Sequence, residues 1–399
     1  MQQKNRWKHL VVGVLVLLLA GLIYAWSVMA LPIAKEFPSW NKASLSGVFT
    51  VCMIFFCFGG VAGGFLLKKM SVRVVLLGAA LFLLGGFFLA ASAQSLGVLI
   101  FGYGLLCGFG SGLAYNGVMS TVTQWYRDRQ GLASGILLMG FGFGSFFIGK
   151  AFVHFTPAQL GAWRSSFRFL GIVIFLVFSL GALVLQKPPQ EDGLAEEGAS
   201  VYDFPPRAML RKKSFWIYFL WAAVLSGAGL ILISHAAGIA RETSLGLSEG
   251  TLSTVVGLIS IFNGLGRVLF GGMFDRNGRS RTMAMINGLF FIAVGVTLLA
   301  LWTKSLPLLV VGFIITGIAY GGVTPTNSAF ICSYFGPRFF SVNFPLVNLN
   351  LLLASFGSSL AGRLYDLSHS YTSSTLAMFA MLVLGTLASL AIGPRPQKG

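Results

Sequence analysis

The sequence predicts an all-α integral membrane protein whose twelve spanning helices form two six-helix halves, and three observations carry that reading. Hydrophobic residues make up 56% of the chain and charged residues 10%, with a mean hydropathy of +0.82, outside the range of soluble globular domains. A helix needs roughly 20 apolar residues to cross the hydrocarbon core, and runs of that length recur twelve times. A single long polar segment divides the twelve into six and six.

Span one, Leu10 to Ala30, follows Lys4, Arg6 and Lys8 as a secretory signal would, but its run is too long for an h-region and eleven spans follow. It therefore reads as an uncleaved first helix. Ser44 to Leu67, Val74 to Ala93, Leu96 to Val122, Gly131 to Phe152 and Phe167 to Leu185 complete residues 1–186 as the first bundle. Residues 187–213, with Pro188, Pro189, Pro205, Pro206 and five acids, read as a mobile cytoplasmic linker. Residues 214–399 hold Ser214 to Ala240, Thr251 to Phe274, Thr282 to Trp302, Leu306 to Phe330, Phe339 to Gly362 and Thr372 to Ile392. The halves echo each other at an offset of about 210 residues. Gly64 to Arg73 parallels Gly272 to Arg281, and Trp125 to Arg129 parallels Tyr334 to Arg338, as in a duplicated bundle able to rock about a central site. Glycines at four-residue spacing, as in Gly104-x-x-x-Gly108-x-x-x-Gly112, suit close helix approach in lipid.

A net charge of +17 raises the question of nucleic acid, but its distribution reports topology instead. With the amino terminus inside, nineteen of the 28 Lys/Arg fall on the cytoplasmic side and seven outside, the positive-inside pattern of a plasma-membrane protein with both termini cytoplasmic. A bacterial inner membrane is the expected location. Cys52, Cys57, Cys107 and Cys332 all lie in spans and read as packing residues, implying neither disulfides nor a metal site. No phosphate-binding glycine-rich loop and no intramembrane catalytic or metal constellation is present, so the sequence points away from ATP drive, an enzyme and any cofactor.

Arg267 stands inside span eight, one turn after Asn263. A bare cation at that depth costs from about 3 to more than 10 kcal/mol, which makes it a functional candidate. Its natural partner is an anion, since a guanidinium matches a carboxylate with two parallel donors.

The loop Gly271-x-x-x-Asp275-Arg276-x-Gly278-Arg279-x-Arg281 resembles the signature loop of the major facilitator superfamily. Tyr24-Ala25-Trp26-Ser27 with Pro32, the run from Trp125 to Gly135, and Asn263-Gly264-x-x-Arg267 narrow the likeness. Together they resemble the oxalate/formate antiporter family and bacterial relatives of monocarboxylate transporters. The resemblance implies the major facilitator fold and a carboxylate-binding role for Arg267. It also implies that Tyr115 and Asn263 work beside that arginine. The oxalate exchanger carries a second cation, a lysine, in span eleven, where this chain has Asn350. A small monocarboxylate such as lactate, pyruvate or formate is therefore expected, with exchange of anions such as oxalate and formate as the alternative.

Animal monocarboxylate transporters place an aspartate where this chain has Asn263, and all eleven acids here fall in loops or at span ends. The coupling proton is then expected on the substrate itself or on His235 in span seven, histidine being the residue type suited to carrying a proton at physiological pH. Tyr24, Tyr115, Asn116, Tyr320, Asn348 and Asn350 are the further candidates for lining the pocket. Arg127, Arg129, Asp275, Arg276, Arg279 and Arg281 are candidates for charge pairs that form and part during gating. An exporter of cationic drugs would need a buried acid, and a sensor would need a relay domain; the sequence offers neither. The expected partners are thus a small organic anion, a proton and the lipid bilayer, without nucleic acid.

Overall fold

The computed structural model describes residues 2–40, 42–157, 159–189, 203–244 and 246–396, and no strand occurs among them. The first seven membrane-length helices are α1 (Arg6–Ala25), α2 (Ser44–Lys69), α3 (Val72–Ala91), α4 (Leu96–Tyr126), α5 (Gln130–Phe155), α6 (Trp163–Val184) and α7 (Lys213–Thr243). The next run, Thr254–Thr303, is 50 residues long. At 1.5 Å per residue that is about 75 Å, more than twice the hydrocarbon thickness. It covers two spans, because Gly278 breaks it with φ 71° and ψ −177°, a backbone region open essentially to glycine alone. The products are α8 (254–277) and α9 (279–303). After α10 (Leu306–Phe335), α11 (Phe340–Ser368) and α12 (Tyr371–Ala391), the twelve expected spans are all accounted for. Helix also continues beyond α1 through Trp26–Glu36, six residues past the expected end.

The chain divides into two compact units. The first is Met1–Asp128 with Gly140–Glu197 and Phe340–Leu346; the second is Arg129–Met139 with Gly198–Phe339 and Val347–Gly399. Each sequence half thus lends a short segment to the other unit, the start of α5 in one case and the start of α11 in the other. Of the expected linker, residues 190–202 lie outside the described residues. Its last part is seated on the second unit: Phe204 N–H donates to the Phe335 carbonyl at 3.0 Å, and the buried Asp203 accepts from Arg338 N–H at 3.3 Å.

Within the first unit, the glycine spacing works as the sequence suggests. A Cβ on Gly108 or Gly112 would collide with the carbonyl of Cys52 or Phe56, and one on Gly104 would meet Val51, so an α4 stripe lies against α2. At one end, Glu36 accepts from Arg164 Nη1 and from Trp163 Nε1, the latter at 2.7 Å, tying the helix after α1 to the start of α6. The second unit repeats this device. Glu242 at the end of α7 accepts from Ser370 Oγ at 2.6 Å and from Tyr371 N–H at 2.7 Å at the start of α12.

Candidate functional site

Arg267 is half-buried on α8, and neutral acceptors hold it: its Nε donates to Asn263 Oδ1 at 2.9 Å and its Nη1 to the Leu138 carbonyl of α5. The spacing of four residues places Asn263 and Arg267 on one face of the helix. An amide and a carbonyl thus fix the orientation of the guanidinium. The backbone of α8 is closely approached here. A Cβ on Gly135 would strike the Arg267 carbonyl, and Gly131 and Gly271 exclude side chains from each other's position. These glycines let the α5 backbone come near enough for Leu138 to accept from Arg267.

Tyr320 completes this group. It is 8% exposed on α10 and lies within reach of the Arg267 charge. Its level is fixed by Gly317 and Gly321, whose missing side chains let α10 press on the α8 backbone between Ile259 and Arg267. Asn348 and Asn350 flank a break in α11 at Leu349, which separates Phe340–Asn348 from Asn350–Ser368. Tyr218 Oη donates to Asn327 Oδ1 at 2.8 Å, and Asn327 Nδ2 donates to Asn348 Oδ1 at 3.2 Å. Asn350 Nδ2 donates to the Val347 carbonyl at 2.6 Å, while Asn348 Nδ2 and Asn350 Oδ1 are buried without partners. The structure thus gathers Arg267, Asn263 and Tyr320, links Asn348 to Asn327, and turns Asn350 back onto the Val347 carbonyl.

In the first unit Tyr24 and Tyr115 both pack on Phe141, with ring centroids 5.5 and 5.1 Å away, and Tyr115 also meets Phe56 at 5.2 Å and Phe344 at 5.9 Å. Asn116 is fully buried and occupied by protein. Its Nδ2 donates to the Gly60 carbonyl at 3.0 Å and the Ser341 carbonyl at 2.9 Å, and its Oδ1 accepts from Ser120 at 3.1 Å. Pro345 explains one of these bonds, because it lacks the N–H that would satisfy Ser341 four residues earlier.

His235 Nε2 lies 3.0 Å from the Ser358 carbonyl, so that nitrogen carries the hydrogen, and the ring packs on Tyr371 at 5.5 Å. Among the gating candidates, Asp275 accepts the N–H of Gly131 and of Leu132, both at 2.8 Å, which caps the first turn of α5. Arg279 donates to the Ser389 and Ile392 carbonyls, both at 3.2 Å, closing the end of α12. Arg127, Arg129, Arg276 and Arg281 are exposed. Sequence reasoning missed Leu138, whose contribution is a backbone carbonyl, and Phe141, one of many phenylalanines. It also missed Glu36, classed only as a span-end acid. Burial raises that carboxyl, but hydrogen bonds from Arg164 and Trp163 and the Arg164 charge outweigh it and hold the carboxyl below its ordinary value.

A multi-pass helical bundle with an arginine inside a span has the form of a solute transporter. The chain belongs to the Major Facilitator Superfamily, whose family profile matches residues 11–349, and it is a transporter rather than an enzyme. It is 28% identical over 335 residues to the oxalate:formate antiporter of Oxalobacter formigenes, covering 81% of this chain and 77% of that protein. It is 23% identical to monocarboxylate transporter 13 of Rattus norvegicus, covering 92% and 84%. The proton:xylose symporter XylE shares the fold, with a TM-score of 0.72 at 14% identity over 98% of this chain and 97% of that one.

Proposed function

We propose that this transporter carries a small monocarboxylate of the lactate, pyruvate or formate type together with a proton, by alternating access, with Arg267 binding the carboxylate. The observation that carries the reading is the hold on Arg267. Asn263 and Leu138 orient its guanidinium inside a membrane span, and its planar set of donors matches a carboxylate. A carboxylate competes well for it, because hydrogen bonds between two charged groups are roughly twice as strong as neutral ones. The names of the two relatives, one an oxalate:formate antiporter and one a monocarboxylate transporter, agree in chemical class.

Tyr320 is proposed as a wall beside the anion. Asn263, beside Arg267, cannot titrate. The proton is therefore proposed to travel on the substrate, which leaves Arg267 as the neutral acid. Asp275 is proposed as the gate residue, holding α5 to α8 in one state and releasing it in the other. The arginine-rich loops favour an inner-membrane orientation with both termini cytoplasmic.

The test is uptake of labelled lactate into proteoliposomes under an inward proton gradient, with and without oxalate or formate inside. Gradient-driven uptake into empty vesicles supports symport. Uptake that requires a preloaded anion makes the protein an exchanger and overturns the symport reading.

A further inference from the structure

We infer that Gly229 of α7 is a positioning residue: it seats Tyr320 against Arg267 and so limits the length of the substrate's apolar tail. The inference rests on the carboxylate-binding reading of Arg267. Gly229 lies within regular helix, so it answers to space rather than to backbone conformation. A Cβ at this position would collide with the Tyr320 ring, meeting Cε2 at 2.8 Å and Cγ and Cδ2 more closely still. The ring lies directly on the bare backbone of α7.

Tyr320 cannot escape by moving its helix. A Cβ on Gly317 would meet the Ile259 carbonyl at 2.7 Å, and one on Gly321 would meet Arg267 N and Gly266 Cα, both at 3.0 Å, so α10 is already pressed on α8. At 8% exposure the side chain is buried. A methyl group at 229 must therefore turn the ring away from α7 and towards α8, where Arg267 stands. There it shortens the space next to a bound carboxylate. Formate has no tail to lose, while each added carbon of a longer acid meets the displaced ring.

The experiment compares KM for formate, acetate, propionate and butyrate in proteoliposomes of the wild type, Gly229→Ala, Tyr320→Leu and the double variant. Gly229→Ala is expected to raise KM for butyrate about fourfold more than for formate, the worth of one buried methylene. In the double variant the length penalty disappears, because the ring that transmits it is gone. An equal rise for all four acids, or a penalty that survives Tyr320→Leu, overturns the inference. Should Gly229→Ala fail to fold, Tyr320→Leu alone must improve butyrate relative to formate; an unchanged ratio is equally decisive against it. Arg267→Gln keeps the two readings apart. If it transports normally the anchor reading falls, whereas a flat length profile in a protein that still depends on Arg267 removes only the role of Gly229.

Discussion

Replacing Asp275 with asparagine removes one of the two side-chain acceptors used by the first-turn amides of α5 and deletes a negative charge at the positive end of that helix. In the structure both carboxylate oxygens are used, each at 2.8 Å, one by Gly131 N–H and the other by Leu132 N–H. Asparagine offers a single acceptor oxygen, so one of the two amides loses its partner. A capping interaction is worth about 0.5–2 kcal/mol and the charge at a helix terminus about 0.3–1 kcal/mol. Because Asp275 is exposed, the lower part of that range applies, about 1 kcal/mol, which is a factor of about five in an equilibrium constant. Hydrogen exchange in detergent reads this directly. The amides of Gly131 and Leu132 are expected to exchange about fivefold faster in Asp275→Asn than in the wild type, with α12 unchanged. Equal exchange at those two amides would refute the assignment of Asp275 as the residue that holds the start of α5.

Two further predictions follow from clasps inside the first unit. Glu36 has a carboxyl held below its ordinary value, so its stabilising contribution is fully present above the ordinary carboxyl value and is lost as pH falls through the lower folded value. Melting temperature measured down a pH series in acid should therefore drop less steeply for Glu36→Gln than for the wild type; parallel curves would show that the clasp contributes nothing. Asn116→Leu strands the Ser341 carbonyl, which Pro345 leaves without a helical donor, at a cost of about 1–3 kcal/mol for a buried unsatisfied group. A lowered melting temperature is expected, and an unchanged one would contradict the structural role given to that amide.

The architecture was legible because lipid imposes it: apolar runs of spanning length, the glycine stripes and the break at Gly278 within a polar loop all have direct sequence correlates. Arg267 and Asn263 were legible for the same reason, as polar groups at helical spacing in an apolar run. What the sequence concealed is carried by backbone atoms and by distant partners. Leu138 matters through its carbonyl, which every residue has. Asn116 looks like a pocket residue until Pro345, more than two hundred positions later, leaves a carbonyl for it to satisfy. Helix ends ran past their expected limits, as at Glu36, because apolar composition stops at the lipid boundary while hydrogen bonding of the helix does not.

The central claim is that Arg267 binds the transported carboxylate, and lactate uptake by Arg267→Gln in proteoliposomes tests it most directly, with melting temperature measured alongside. Uptake at the level of empty vesicles from a protein that melts like the wild type is the predicted result. Wild-type uptake by Arg267→Gln would contradict the account.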